Sequence, residues 1–373
     1  WYFSIFSNYR DLAETSLPLL LKKQVFNFSV FLEEGTIMKG FAKYFTQKLF
    51  WYFITFIIAL LLNFILPRLI PGNPVDLLLS GMLSGMTDMS KAAEVRQQTY
   101  AYFGLDKPLV QQFFQYVVNV FRGDWGRSFD QYPRPVLDIL ARGLPWTVAI
   151  QLPSIIIGWI VGNLLGALAA YRKGVFDRTI FPLSLFLSSI PVFILALMMK
   201  YFLGVYTNWF PIQGAYAAEL MPSQSLTYYW SLFRHWQLPF IATTLVMIGG
   251  QAIGMRSMSL YELNADYVLY AKLLGIRESK ITGYVFKNAM LPQITGLALS
   301  LGTMVSGALI TEIGFSYPGI GTQMMKAIRN VDYTLISGCT LLISITVLVA
   351  NFLIEIIYGL IDPRVRSSQM EDN

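Results

Sequence analysis

The sequence predicts an all-α integral membrane protein with about six transmembrane helices. Composition is the first reason: of 373 residues, 55% are hydrophobic and only 13% charged, against about 25% charged in soluble globular chains. Mean hydropathy is +0.51. Too little charge is present to coat a water-facing surface of this size, so lipid must solvate much of it. The second reason is patterning. Six runs approach the roughly 20 apolar residues that a helix needs to cross a bilayer: 49–70, 144–170, 180–206, 238–258, 290–313 and 335–361.

The runs set the expected organisation. Residues 1–37 form an N-terminal extension of uncertain status, starting on Trp1 and too broken by charge to span. No small-residue cleavage site marks it as a signal peptide. A basic cytoplasmic lead-in (38–48) precedes the first span (49–70). Residues 71–143 form an exterior subdomain, 144–361 a transmembrane core, and 362–373 a cytoplasmic tail. Within the exterior stretch, LVQQFFQYVVNVF has helical spacing with Phe113, Val117 and Val120 on one face. Whether that face packs on the subdomain or lies on the membrane stays open.

Orientation follows from Lys and Arg in short loops. Lys39, Lys43 and Lys48 precede the first run; Arg172, Lys173 and Arg178 separate the second and third; Arg256, Lys272, Arg277, Lys280 and Lys287 separate the fourth and fifth; Arg364 and Arg366 follow the sixth. If each run spans once, these segments share one side, which the positive-inside rule makes cytoplasmic, with both termini there.

Gly158, Gly162 and Gly166 recur every four residues and line one face, as expected of close packing between the chain's own helices. Pro153 and Pro191 interrupt runs but are tolerated in membrane helices whose neighbours satisfy the freed backbone groups. The net charge of +6 is explained by the loop cations, and no basic, aromatic-interleaved face points to nucleic acid.

Other chemistries lack their residues. There is no G-x-x-x-x-G-K-S/T phosphate loop, no H-E-x-x-H and no G-x-S-x-G, so the chain itself is not expected to hydrolyse ATP or catalyse a reaction. His235, expected in an exterior loop, is the only histidine, and Cys339 the only cysteine; neither a metal site, a cofactor nor an intrachain disulfide is expected. Lys200, Glu312 and Glu355 are ionisable residues within spans and functional suspects on that ground, with snorkelling or helix-end roles as the alternative.

Around the loop 259–289, the segment Tyr261–Pro292 reads YELNADYVLYAKLLGIRESKITGYVFKNAMLP. Tyr267, Tyr270, Ala271 and Leu274 have helical spacing. Asn264 or Asp266 is placed to cap the helix, and Gly275 suits a left-handed stop. A second helix begins near Glu278. Such a short helix is either a knob for a partner's groove or a cover for headgroups.

This segment resembles the cytoplasmic EAA loop of binding-protein-dependent ABC importer permeases, through Ala271, Gly275, Leu291 and Pro292. Leu269 stands where that family's Glu stands. In order along the chain, IPGNPVD (with Asn73 for the usual Asp), FGLDKPLVQQFFQYVVNVFRGDWGRSF, the second and third spans, TEIGFSYPGIGTQMMKAIRNVDYTLI and the ending LIDPRVR are similar to the peptide and nickel branch, in the pattern of the first of its paired permeases. The resemblance implies the type I permease fold and a place in the bacterial plasma membrane. It implies a heterodimer with a second homologous permease, two ATP-binding ATPase subunits and an extracytoplasmic solute-binding protein. It places Asp266, Tyr267, Tyr270, Ala271, Gly275, Leu291 and Pro292 at the ATPase-coupling loop. Di- or oligopeptides are the favoured cargo, with oligosaccharides or nickel chelates as alternatives. From a different class, a self-sufficient ion-coupled transporter would want paired intramembrane carboxylates or inverted repeats, which the sequence does not display.

Overall fold

The computed structural model describes residues 46–69, 79, 89–102, 104–172 and 174–361. The extension 1–37, most of the lead-in, the IPGNPVD element, Lys173 and the tail 362–373 lie outside them. Two units are distinguished. One comprises residues 1–55 and 355–373, of which 46–55 and 355–361 are described and helical; the other comprises residues 56–354.

The described residues form helices joined by turns, with only an isolated bridge between Arg127 and Pro135. Four helices are long and apolar enough to cross a membrane: α1 (Thr46–Arg68), α4 (Val136–Arg172), α7 (Leu226–Leu263) and α13 (Tyr333–Ile361, apolar through Leu353). Between α1 and α4 lie α2 (Met89–Tyr102) and α3 (Leu109–Phe121). α4 starts at Val136, ahead of the expected 144.

The third and fifth runs are not single straight helices. α5 (Gly174–Ser189) meets α6 (Val192–Met199) and its π-helical continuation Lys200–Tyr206 at 96°. Pro191 at this break disfavours helical conformation in the preceding residue. α9 (Glu278–Gly302) meets α10 (Met304–Gly307) and α11 (Leu309–Phe315) at 67°. Between α7 and α9 lies α8 (Asp266–Leu273), and between α11 and α13 lies α12 (Ile320–Arg329).

The core of the 56–354 unit is the α4–α7 pair. A Cβ at Gly158 would lie 2.5 Å from Met247, and one at Gly162 would lie 2.6 Å from Gln251. At Gly166 it would strike the Ala252 backbone. The three glycines therefore set how closely the helices approach. Pro153 cannot donate to the Ala149 carbonyl one turn earlier; the Trp236 indole N–H of α7 takes that carbonyl at 2.7 Å. His235, expected in a loop, lies half-buried in α7 with Nδ1 2.7 Å from the Ser231 carbonyl, because the helix begins well before the apolar run. Arg256, counted with the loop cations, is likewise in α7. Its Nη2 donates to Asp177 Oδ2 at 2.7 Å and its guanidinium lies 4.3 Å from the Phe181 ring centre, tying α7 to α5.

Helix α3 runs antiparallel to the C-terminal part of α1. Phe113 meets Phe64 at 5.3 Å and Phe121 meets Phe56 at 6.0 Å between ring centres, while Val120 packs with Leu60 and Leu341. The Phe113, Val117 and Val120 face thus packs on the spans themselves. The segment after α3 folds against the start of α13. Gly126 has φ +80°, and a Cβ there would sit 2.7 Å from the Thr334 methyl. Buried Asp332 accepts from the Ser128 hydroxyl, from the Asp130 N–H at 3.2 Å, and from the Leu335 N–H at 3.0 Å. Burial pushes its carboxyl above the usual carboxylate range, against the pull of these donors.

Candidate functional site: the α8 docking face

α8 is an eight-residue helix, too short to hold itself together in water. Packing holds it. Val268 and Ala271 are buried against Ile281 and Val285 of α9, with Tyr171 of α4 and Ile276 around them. The Tyr171 hydroxyl donates to the Thr282 carbonyl at 2.9 Å, so α4, α8 and α9 meet at one end of the bundle. Arg172, Lys272, Arg277, Lys280 and Lys287 are exposed at that end.

Both helix ends are defined locally. The residue before α8 is Ala265, whose methyl has no polar atom to cap with. This corrects the expected cap: Asn264 instead donates from Nδ2 to the Leu260 carbonyl at 3.0 Å, closing α7. Asp266 falls in the first turn of α8, where a negative charge meets the positive end of the helix dipole. At the far end Gly275 has φ +70°. The Gly275 N–H donates to the Lys272 carbonyl and the Ile276 N–H to the Ala271 carbonyl, each at 3.0 Å. This is a Schellman turn, completed by Ile276 packing back beside Ala271.

The expected face is corrected too. Tyr267 and Ala271 turn inward while Tyr270 and Leu274 turn outward. The outward surface is Leu269, Tyr270, Leu273 and Leu274, exposed by 58%, 65%, 74% and 79%. Sequence spacing misassigned it because nearly every residue from 267 to 274 is apolar or aromatic, leaving no polar contrast to show a face. It also missed Glu262, whose Oε2 accepts from the Tyr267 hydroxyl at 2.8 Å and from Asn288 at 3.4 Å. Burial first, and then the Glu262 carboxylate, push the Tyr267 phenol above its ordinary value, so it stays a donor.

The structure brings Asp266, Tyr267, Tyr270, Ala271 and Gly275 together but not Leu291 and Pro292. These two lie inside α9. They are roughly 20 Å along the axis from Glu278 at about 1.5 Å per residue.

Two of the three suspect ionisable residues within spans bond backbone groups around one turn. The Lys200 ammonium donates to the Gly314 carbonyl at the end of α11 at 2.7 Å and lies 5.8 Å from the Phe315 ring centre. Fully buried Glu312 accepts from the Gly321 N–H at 2.7 Å, in the first turn of α12. The neighbouring Ile320 N–H goes to the Thr147 hydroxyl at 3.0 Å. Both groups therefore secure the α11–α12 turn. Glu355 lies in α13, with its side chain outside the described residues. No group of three or more His, Cys, Asp or Glu able to hold a metal occurs among the described residues.

Known proteins share this chain's pattern. Residues 162–367 match the family described as binding-protein-dependent transport system inner membrane component. The di/tripeptide transport system permease protein DppB of Pseudomonas aeruginosa (strain UCBPP-PA14) is 30% identical over 84% of this chain and 95% of its own. A probable peptide ABC transporter permease protein of Sinorhizobium fredii is 32% identical over 81% and 92%. The dipeptide transport system permease protein DppB of Escherichia coli K12 is 31% identical over 84% and 95%. The chain belongs to the binding-protein-dependent transport system inner membrane component family, and is a multi-pass membrane permease.

Proposed function

We propose that this permease forms half of the pathway of an ATP-driven importer of di- or oligopeptides and couples to an ATPase subunit through α8. The observation that carries the coupling role is a helix anchored on one side by Val268 and Ala271 while its other side leaves Leu269, Tyr270, Leu273 and Leu274 bare. An apolar helix face at the end of a bundle suits a partner's groove, and the surrounding Lys and Arg favour the cytoplasmic side for it. ATP hydrolysis belongs to the separate subunits that receive this face. Both termini are cytoplasmic in this reading, and a second permease and an exterior solute-binding protein complete the assembly. The peptide cargo rests on the similarity to permeases named for di- and tripeptide transport.

The test is uptake of a labelled dipeptide into proteoliposomes holding the assembled complex. Unaltered complex is expected to accumulate the dipeptide only with ATP and solute-binding protein present. A Tyr270→Ala/Leu273→Ala double variant, with both side chains exposed, is expected to insert normally yet lose ATPase association and most uptake. Full uptake by that variant would remove the coupling role from α8. Uptake driven by an ion gradient without ATP would replace the importer reading altogether.

A further inference from the structure

The outer end of α1 and the start of α3 enclose a groove of about 650 Å³, within the roughly 300–1,000 Å³ usual for small-ligand sites. Its walls are mostly hydrocarbon, including Leu61, Ile65, Leu109 and Val110. One cation stands at its edge. The guanidinium of half-buried Arg68 lies 3.6 Å from the Phe64 ring centre and donates to the Phe64 carbonyl at 2.7 Å and to Gln112 Oε1 at 3.3 Å. These acceptors hold the side chain still but are neutral. Among the described residues no carboxylate pairs with Arg68. Outside the groove the apolar wall continues along α3, where Phe114, Val118 and Phe121 are exposed.

A fixed guanidinium beside hydrocarbon, with N–H groups to spare, calls for an anion. A free, hydrated phosphate ion gains nothing from apolar walls, and a bare hydrocarbon chain gains nothing from the cation. A molecule carrying both parts satisfies both. Arg68 is the last residue of the α1 span, and the ends of a bilayer-crossing helix fall near the boundary between headgroups and acyl chains. We propose that this groove is a phospholipid site, an acyl chain lying along Leu61, Ile65, Leu109 and Val110 while the phosphodiester pairs with Arg68. The lipid then joins α3 to α1 from outside, supplementing the Phe64–Phe113 contact. This site requires only that the chain sits in a bilayer and is independent of what the permease carries.

The experiment is native mass spectrometry of the intact complex purified in mild detergent from its own membrane. It is followed by rebinding of delipidated complex to nanodiscs of phosphatidylglycerol or to inorganic phosphate alone. Phospholipid is expected to stay bound and to rebind from nanodiscs, and excess inorganic phosphate is expected not to displace it. Arg68→Gln is expected to lower retention about tenfold, the effect of losing about one charge-assisted hydrogen bond. Val110→Trp, which fills the groove without touching the cation, is expected to do the same. Ile160→Trp, at an exposed position on α4, should leave retention unchanged. Retention unchanged from the unaltered protein in both groove variants would overturn the site, as would displacement by phosphate. So would a photo-crosslinker at Val110 that captures residues 70–88 of the chain rather than lipid.

Discussion

The turn after α8 and the turn after α11 use the same hydrogen-bond pattern by different means. At the first, Ile276 N–H reaches the Ala271 carbonyl and Gly275 takes the left-handed conformation. At the second, Tyr317 N–H reaches the Glu312 carbonyl at 2.8 Å, and the left-handed residue is Ser316, at φ +51°. A glycine adopts that conformation freely, whereas a residue with a Cβ resists it. The first turn is self-sufficient, so α8 needs only two small apolar anchors and can leave its other face to a partner. The second is imposed by its surroundings. Phe315 and Tyr317 are buried, Lys200 holds the Gly314 carbonyl, and Glu312 bonds the start of α12. Room for that carboxylate exists only because Gly319 has no Cβ, which would collide with it. A surface element is specified locally, and an interior one by its neighbours.

That contrast predicts a hierarchy of effects, each read as thermal unfolding of the purified protein in detergent. Glu312→Ala breaks the interior turn and should cost most, about 3 kcal/mol, because the Gly321 N–H is left unsatisfied in a fully buried site and a cavity opens. A change no larger than that of a surface mutation would mean that the turn is held without the carboxylate. Lys200→Met keeps the stem and removes one charged hydrogen bond, for an expected loss of about 1.5 kcal/mol. No loss at all would show that the ammonium merely snorkels.

Glycine exchange sharpens the comparison with opposite signs. Gly275→Ala should lower stability by about 1 kcal/mol and reduce ATPase association with it, since a Cβ resists the left-handed conformation that stops α8. Ser316→Gly should raise stability by somewhat less than about 1 kcal/mol, because local strain is relieved while every tertiary contact stays. Finding Gly275→Ala neutral would mean that the turn after α8 is imposed by its surroundings as well.

Much of the fold was legible because bilayer crossing demands long apolar runs, and those runs are visible one residue at a time. The glycine spacing 158, 162, 166 was legible for a related reason: a four-residue repeat of the smallest side chain has one use in a helix pair, and its partners are Met247, Gln251 and Ala252. The docking face was only half legible. Gly275 announced where α8 stops, but the facing direction depended on where Ile281 and Val285 lie. The cap was misread because Asn264 is placed to serve either helix, and α7 claims it.

Composition and periodicity by themselves determined that the chain is helical, which stretches are apolar enough to cross hydrocarbon, and where the short loop helix ends, since each depends on the solvation or backbone freedom of neighbouring residues. Tertiary structure alone decided that the third and fifth runs are bent, that Lys200 and Glu312 serve one turn, and which side of α8 is left bare. Those outcomes rest on contacts between residues far apart in the chain, such as Lys200 with Gly314 and Thr147 with Ile320, which no local pattern encodes.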